Sequence, residues 1–299
     1  MTLQRQQQAN HTQFSYQWPD APALQFSLPN ALLNDYRDMR RYQPHMTELA
    51  VRNALVRKAA SLQQQDRSVR ILLSAPNLPL SYSVQASDNN KANAVRQQLQ
   101  QTQQQAMNEH LYQGYYFLLQ DPVKGAGVIP DHVRFMQDAL PQLKPVADAF
   151  VALYGKQNIR DIAIALTAWV QQIPYRDMED RLTSNGRGYA PPAQLLFDHQ
   201  GDCDSKAVLW ATVMRQIFPT LEIRILYLPQ HAIIAAQIPA TDREQIIELG
   251  PDSLLLLDPT GPALLRLGEV SERYQPYLQN KQFTARVFPH RKVSTDGSD

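Results

Sequence analysis

The sequence contains a single cysteine, Cys203, among its 299 residues. One thiol excludes an internal disulfide framework, and it removes the usual redox clue to the compartment. Long hydrophobic runs are also absent, since no apolar stretch approaches the roughly 20 residues that a membrane-spanning helix needs. The sequence therefore predicts a protein without a transmembrane segment that depends on its core for stability, and it leaves one free thiol to explain.

An excess of charge of one sign is absent as well. The chain has 29 lysine and arginine residues against 28 aspartate and glutamate residues, and the basic ones are scattered. This pattern argues against a nucleic-acid groove or binding to an anionic membrane surface. The 43% of hydrophobic residues are enough to bury a substantial core. Charge alone therefore identifies no partner, and nothing in it predicts an oligomeric state.

The first residues, MTLQRQQQANHTQ, lack the apolar core of a secretory signal. A polar, glutamine-rich start is typical of an exported chain after its signal has been removed, but it also fits a cytoplasmic protein. We expect a periplasmic or cell-envelope location, with the cytoplasm as the alternative.

The chain divides into regions of different composition. Residues 1–124 carry strand-like and helix-like segments and form an N-terminal α/β region whose role no motif indicates; within it, residues 1–12 are polar enough to be disordered. The glycine- and proline-rich segment DPVKGAGVIPDH favours a boundary near residue 125. Residues 125–290 form the second predicted domain, and the polar tail 291–299 is predicted to be disordered.

In the second domain, the sequence pattern indicates one helix followed by three strands. CDSKAVLWATVMRQIF has the apolar spacing of a helix, and LEIRILYL, HAIIAAQI and SLLLLDPT are typical of strands. A helix followed by successive strands predicts an α+β fold with the helix packed on an antiparallel sheet. Trp169 and Trp210 have the spacing of core residues on helices.

Three chemically capable side chains fall at the ends of these elements. Cys203 lies at a helix start, His231 at the start of a strand and Asp258 at the end of the next, with separations of 28 and 27 residues. Adjacent antiparallel strands can bring the imidazole to the carboxylate while the helix delivers the thiol. A nucleophilic thiol, an imidazole that takes its proton and a carboxylate that orients the ring form a catalytic triad.

Each of these residues also has a simpler interpretation. A lone cysteine is most often an inert hydrophobic residue, and an aspartate before proline often caps a turn. Only the combination of the three favours catalysis. The flanking Asp202 and Asp204 likewise allow two interpretations. Their carboxylate oxygens suit calcium; alternatively, Asp202 caps the helix and Asp204 stabilises its first turn.

Several segments resemble the transglutaminase-like superfamily, which has a papain-like core. They are GDCDSKAVLWATVMRQ, HAIIAAQI and LLLLDPTGP, together with VQQIPYRD and YAPPAQLLFDHQGDC, which resemble the approach to the cysteine in bacterial transglutaminase-like cysteine proteinases. The resemblance covers about residues 130 to 265 and leaves the first part of the chain unexplained.

The resemblance implies cysteine-dependent acyl transfer on an amide of a protein or peptide, through a thioester. It assigns Cys203 as nucleophile, His231 as base and acid, and Asp258 as the residue that orients the imidazole. Gln172 and Tyr189 lie in segments similar to those that flank the family's cleft, so either could donate to the oxyanion. No cofactor is required by this chemistry.

The resemblance also bears on the metal and on the acceptor. Some bacterial proteinases of this family bind calcium through acidic residues beside the cysteine, so Asp202 and Asp204 are the expected calcium ligands if a metal is used. Amine-transferring members often carry an aromatic residue after the histidine, where this chain has Ala232 and Ile233. Hydrolysis is therefore the leading prediction; amine transfer, which crosslinks proteins, and a catalytically idle binding or scaffold protein are the alternatives.

Overall fold

The structure is a computed structural model and describes residues 1–18, 21–122, 125–179 and 186–291. It is a mixed α and β protein with antiparallel sheets, which confirms the predicted α+β class. Contacts divide the chain into two compact units, Met1–Met39 with Gln120–Asp299, and Arg40–Leu119. The predicted disordered tail, 291–299, lies outside the described residues except for its first residue. Within the described ranges, no helix combines the length and the apolar character needed to cross a membrane.

The elements follow one another in an irregular alternation of strands and helices. The strands are β1 (Thr2–Gln7), β2 (His11–Trp18), β3 (Ala21–Pro29), β4 (Arg70–Leu73), β5 (Tyr82–Gln85), β6 (Tyr116–Asp121), β7 (Gly125–Pro130), β8 (Ile223–Leu228), β9 (His231–Ala236), β10 (Ile246–Leu249), β11 (Asp252–Leu257) and β12 (Thr284–Val287). The helices are α1 (Pro44–Gln65), α2 (Asn89–Gln113), α3 (His132–Ala139), α4 (Lys144–Tyr154), α5 (Ile159–Gln172), α6 (Pro192–Asp198), α7 (Cys203–Ile217) and α8 (Gln275–Gln279).

The unit Arg40–Leu119 consists mainly of two long helices and a hairpin. Helices α1 and α2 pack on each other, and β4 pairs antiparallel with β5. Leu55 and Leu99 are buried between these elements, while the glutamines of α2 are largely exposed. Asp88 caps α2 by accepting the backbone N–H of Lys91. The apolar spacing of these segments therefore corresponds to the core of a separate unit.

The first three strands form an antiparallel sheet in the order β1-β2-β3. The prediction of disorder for residues 1–12 is wrong, because β1 pairs with β2 from Thr2 to Gln7. Most side chains of β1 are exposed. An edge strand that is held by backbone hydrogen bonds needs no alternation of apolar and polar residues. The polar sequence of β1 therefore resembled that of a disordered terminus.

Aromatic packing explains why residues 1–39 belong to the larger unit. The ring of Tyr16 meets that of Trp169 edge-on at 5.3 Å, and Phe26 meets the same indole at 6.2 Å. Phe14 meets Phe197 at 5.4 Å. Burying these large rings contributes strongly to a core. The division thus differs from the predicted region 1–124, because the first strands and residues 40–119 lie in different units.

Helix α7 lies at the centre of the larger unit. It contacts α3, α4, α5, α6 and β9, and it is buried on almost every side. The sheet beside it has the order β10-β11-β9-β8-β12 with antiparallel pairing. The predicted helix and its three strands are confirmed, whereas β10 and β12 are short strands that the sequence pattern did not indicate. Trp169 and Trp210 are fully buried, as predicted.

Candidate active site

Cys203 is the first residue of α7. Asp202 is the N-cap, with an extended backbone and a side chain that accepts the N–H of Ser205 at 3.3 Å. Ser205 is itself anchored, because its hydroxyl accepts the N–H of Ala190 at 2.9 Å. An aspartate N-cap satisfies an N–H group that the helix leaves unpaired. The sequence Asp-Cys therefore starts a helix at the thiol.

Gly201 allows the chain to enter this helix through a tightly packed position. Its N–H donates to Pro174 O at 3.2 Å and its carbonyl accepts the N–H of Arg176 at 3.1 Å. A Cβ at Gly201 would lie 2.6 Å from Cδ1 of the fully buried Leu195. Glycine suits this position because any side chain would collide with Leu195 unless that residue moved in a close-packed core.

His231 and Asp258 lie at one end of two neighbouring strands. β9 begins at His231, and Asp258 directly follows β11, which pairs antiparallel with β9. The imidazole Nε2 lies 2.7 Å from Asp258 Oδ2, and both side chains are more than 90% buried. Thr260 N–H donates to the other carboxylate oxygen at 3.0 Å. With Nε2–H donated to Asp258, Nδ1 is the ring nitrogen left to accept a proton.

The carboxylate is held in its ionised form. Burial acts to raise the pKa of Asp258, but the hydrogen bond and charge of His231 and the bonds from Thr260 outweigh it, so the pKa lies below its ordinary value. A carboxylate that accepts an imidazole N–H fixes the tautomer and orientation of the ring. This is the relation that the sequence predicted for the two residues.

Two tyrosines lie beside these groups. The ring of Tyr274 is stacked on that of His231, with centroids 4.4 Å apart and planes 10° from parallel. Tyr175 is 47% exposed, and burial followed by the charge of Cys203 raises its pKa to about 12. Cys203 also acts on the pKa of Tyr274. The thiol therefore lies within electrostatic range of an exposed and a stacked aromatic ring, neither of which the sequence indicated.

The surroundings of Cys203 favour the neutral thiol. Burial, and then the charges of Asp204 and Asp202, raise its pKa well above the ordinary value, while hydrogen bonds from the backbone N–H groups of Ala232 and Asp204 act in the opposite direction. Ala232 directly follows His231 in β9. The thiol is thus next to the strand that carries the imidazole, and its ionisation requires a base.

Asp202 and Asp204 form a buried pair that continues into a polar network. Burial, followed by the charge of the neighbouring Asp204, raises the pKa of Asp202 well above its ordinary value, and burial also raises the pKa of Asp204. Asp204 Oδ2 lies 2.8 Å from His132 Nε2, and His132 Nδ1 lies 2.9 Å from the Tyr227 hydroxyl. Burial lowers the pKa of His132 to about 3, so the ring is neutral.

These contacts decide what the acidic pair can do. The Tyr227 hydroxyl donates to Nδ1 of the neutral His132, whose Nε2–H donates to Asp204. Asp204 Oδ1 accepts the N–H of Ser205 at 2.9 Å. Among the residues that the structure describes, no three His, Cys, Asp or Glu side chains are grouped to hold a metal ion. The oxygens of Asp202 and Asp204 thus accept hydrogen bonds from the protein, as in a helix cap and a polar network. Calcium would need several carboxylate or carbonyl oxygens free to bind it.

The two oxyanion candidates occupy different surroundings. Gln172 directs its side-chain amide to Ala168 O of its own helix at 2.9 Å. Tyr189 is fully buried, with its ring 4.6 Å from that of Phe135 and 5.2 Å from that of His132. The Gln172 amide is therefore directed to its own helix, whereas Tyr189 packs by its ring against α3.

The structure places two further residues beside Asp258. Gln171 donates to Asp258 O, and Lys206 lies close enough to Asp258 and Cys203 for both to act on its pKa. The sequence shows two adjacent glutamines at the end of α5, Gln171 and Gln172. Spacing alone did not predict which of the two faces the core and contacts Asp258. Nothing in the local pattern separated Lys206 from an exposed lysine.

In comparisons with known proteins, neither a protein-family model nor a curated protein matches the chain.

Proposed function

We propose that this protein is a cysteine-dependent acyl-transfer enzyme of the transglutaminase-like type that hydrolyses an amide bond in a protein or peptide. Cys203 is the nucleophile, His231 the base and acid, and Asp258 the residue that orients the imidazole. The packing of α7 beside an antiparallel sheet supports a papain-like core.

One observation carries the proposal. His231 and Asp258 form a buried hydrogen-bonded pair at 2.7 Å, and the residue after this histidine donates its backbone N–H to the thiol at the start of α7. An inert buried cysteine needs no oriented imidazole on the neighbouring strand. The combination favours a catalytic interpretation over a binding or scaffold protein.

The chemistry follows from the resting protonation states. Since the thiol is neutral, His231 Nδ1 takes its proton as Sγ attacks the carbonyl carbon, and a C–S bond forms. Backbone N–H groups at the start of α7 stabilise the oxyanion, aided by the helix dipole. The imidazolium then protonates the leaving amine as the C–N bond breaks, which leaves a thioester. Water attacks the thioester, gives up a proton to His231, and releases the acid and the thiol.

Alkylation of the single cysteine tests the proposal without a known substrate. Iodoacetamide is added between pH 5 and 9, and the adduct is read by intact mass in the wild type, His231→Ala and Asp258→Asn. General-base help is worth about 10²-fold or more, so we expect alkylation of His231→Ala at neutral pH to be slower by at least about tenfold. Equal rates in the wild type and His231→Ala at neutral pH would exclude catalysis by Cys203, because the base would then make no difference to the thiol.

Two further arms refine the result. A peptide library incubated with and without an added amine separates hydrolysis from amine transfer by product mass, and Cys203→Ala is the inactive control. Repeating the alkylation with calcium and with a chelator tests the acidic pair. Equal rates are expected because Asp202 and Asp204 already accept protein donors, and a calcium-dependent rate would identify them as ligands.

A further inference from the structure

The segment that carries Asp258 has no regular structure, yet it is buried. Asp258, Pro259 and Thr260 follow β11 outside any helix or strand, and all three are buried. Buried backbone carbonyls outside a sheet need donors from elsewhere. In this segment, the donors come from side chains on α5 and α7.

Lys206 is the donor on α7. Its side chain is completely buried, and its ammonium donates to Ile173 O at 2.5 Å and to Thr260 O. It lies three residues after Cys203, nearly one helical turn away. Burial lowers the pKa of Lys206 to about 8, against the opposing charges of Asp258, Asp202 and Cys203, so the group is mainly an ammonium at neutral pH.

Gln171 is the donor on α5. It is 2% exposed, and its amide nitrogen donates to Asp258 O at 2.7 Å and to Leu265 O at 3.0 Å. The segment also approaches α5 so closely that a Cβ at Gly261 would lie 2.1 Å from Gln171 O. The backbone of the catalytic carboxylate is therefore fixed to a helix outside its own sheet.

We propose that Lys206 and Gln171 are positioning residues that fix the Asp258 segment so that its carboxylate meets His231. This inference rests on the proposed function. Lys206 connects the helix that carries the thiol to the segment that carries the carboxylate, and Gln171 holds the carbonyl of Asp258 itself. Both act through Asp258 rather than on the substrate. Small misplacements of catalytic groups slow a reaction strongly. The buried ammonium therefore holds Cys203 and the His231–Asp258 pair in fixed positions relative to each other.

The test uses Lys206→Met with Arg215→Met as a matched control. Arg215 is a second completely buried cation on α7, and it donates to the backbone carbonyls of Pro219, Leu221 and Phe288. Both variants lose a buried cation that holds loop carbonyls, and both are expected to lower the melting temperature. Only Lys206→Met should slow alkylation of Cys203 at neutral pH, by about tenfold, while Arg215→Met stays within about twofold of the wild type.

A double-mutant cycle separates positioning from a general loss of structure. If Lys206 acts through Asp258, Lys206→Met should add no further loss to Asp258→Asn, because coupled residues are not additive. Multiplied losses would overturn the proposal. If Lys206→Met does not fold, Gln171→Leu takes its place in the same cycle, since it removes two donors and no charge.

A spectroscopic readout keeps this inference independent of catalysis. The side-chain N–H of His231 that donates to Asp258 is followed by proton NMR in protein labelled with ¹⁵N-histidine, without any reaction at Cys203. Lys206→Met should shift or broaden this resonance, and Arg215→Met should leave it in place. An unchanged resonance overturns the positioning role. Failure of the proposed function has a different signature, alkylation that does not depend on His231.

Discussion

Replacing His132 by glutamine should change the pH dependence of the unfolding free energy by one proton. His132 is completely buried between the Tyr227 hydroxyl and the Asp204 carboxylate, and burial lowers its pKa to about 3. A glutamine amide can donate to Asp204 and accept from Tyr227, so the variant keeps both kinds of hydrogen bond. It removes the titrating ring and little else.

The sign follows from the proton counts of the two states. Between about pH 3 and 6.5, the unfolded chain binds a proton at His132 and the folded protein does not. The unfolded state therefore binds more protons, and His132 makes stability rise with pH across this window and fall as the solution is acidified. The carboxyl pair of Asp202 and Asp204 acts in the opposite direction above about pH 4, because its folded state retains a proton that the unfolded state releases.

A difference of one bound proton between the folded and unfolded states changes the unfolding free energy by about 1.4 kcal/mol per pH unit. Relative to the wild type, His132→Gln should therefore lose about 1.4 kcal/mol of stability for each unit by which the pH rises from 4.5 to 6. The difference between the two proteins isolates His132, since contributions from all other groups cancel if their states are unchanged.

Urea unfolding followed by tryptophan fluorescence provides the assay. The protein's tryptophans, Trp18, Trp169 and Trp210, all lie in the larger unit, so the signal reports its unfolding. Thr212→Ala on α7 removes a buried hydroxyl that donates to Val208 O and no titrating group, so its curve should run parallel to the wild type. Parallel curves for wild type and His132→Gln would refute the reasoning, and would mean that the folded protein holds an imidazolium paired with Asp204.

Two more predictions concern packing and an ion pair. Gly201→Ala should lower the unfolding free energy by about 1–3 kcal/mol in the same urea assay, because its Cβ would lie 2.6 Å from Leu195 Cδ1. Combined with Leu195→Ala, it should cost less than the sum of the two single losses, and additive losses would contradict the steric cause. Glu244 pairs with Arg160 through two hydrogen bonds, which lower its pKa to about 2. Its folded pKa is depressed, so its contribution is present above its ordinary pKa near 4.5 and is lost as the pH falls through about 2; Glu244→Gln should cost no more than about 1 kcal/mol at pH 7 and nothing below pH 2, and an equal cost at both would exclude the ion pair.

Local periodicity was enough for the elements that carry the candidate site. The helix beginning at Cys203 and the strand beginning at His231 follow from caps and apolar spacing, which act over a few residues. The approach of Asp258 to His231 follows from antiparallel pairing of neighbouring strands. β1 was missed because its side chains are exposed and its backbone carries the pairing.

Contacts between distant segments could not be predicted in this way. His132 lies 72 residues from Asp204, and nothing near either residue indicates their hydrogen bond. Gln171 and Gln172 differ by about 100° around α5, since a helix has 3.6 residues per turn, and only packing decides which amide meets Asp258. A lysine at position 206 is exposed by default, and it is buried because helices and a sheet surround α7.

The sequence by itself determined the α+β class, the helix start at the only thiol, and the positions of Cys203, His231 and Asp258 at the ends of their elements. Backbone propensities, capping and strand alternation act locally, and they can be recognised in one chain. Only the tertiary structure decided that burial raises the pKa of Asp202 and Asp204, that Asp204 lies beside His132, and that Lys206 and Gln171 donate to the Asp258 segment. These outcomes depend on burial and on contacts across the fold, because a low dielectric and the loss of water set both the charge state and the partner of a polar group.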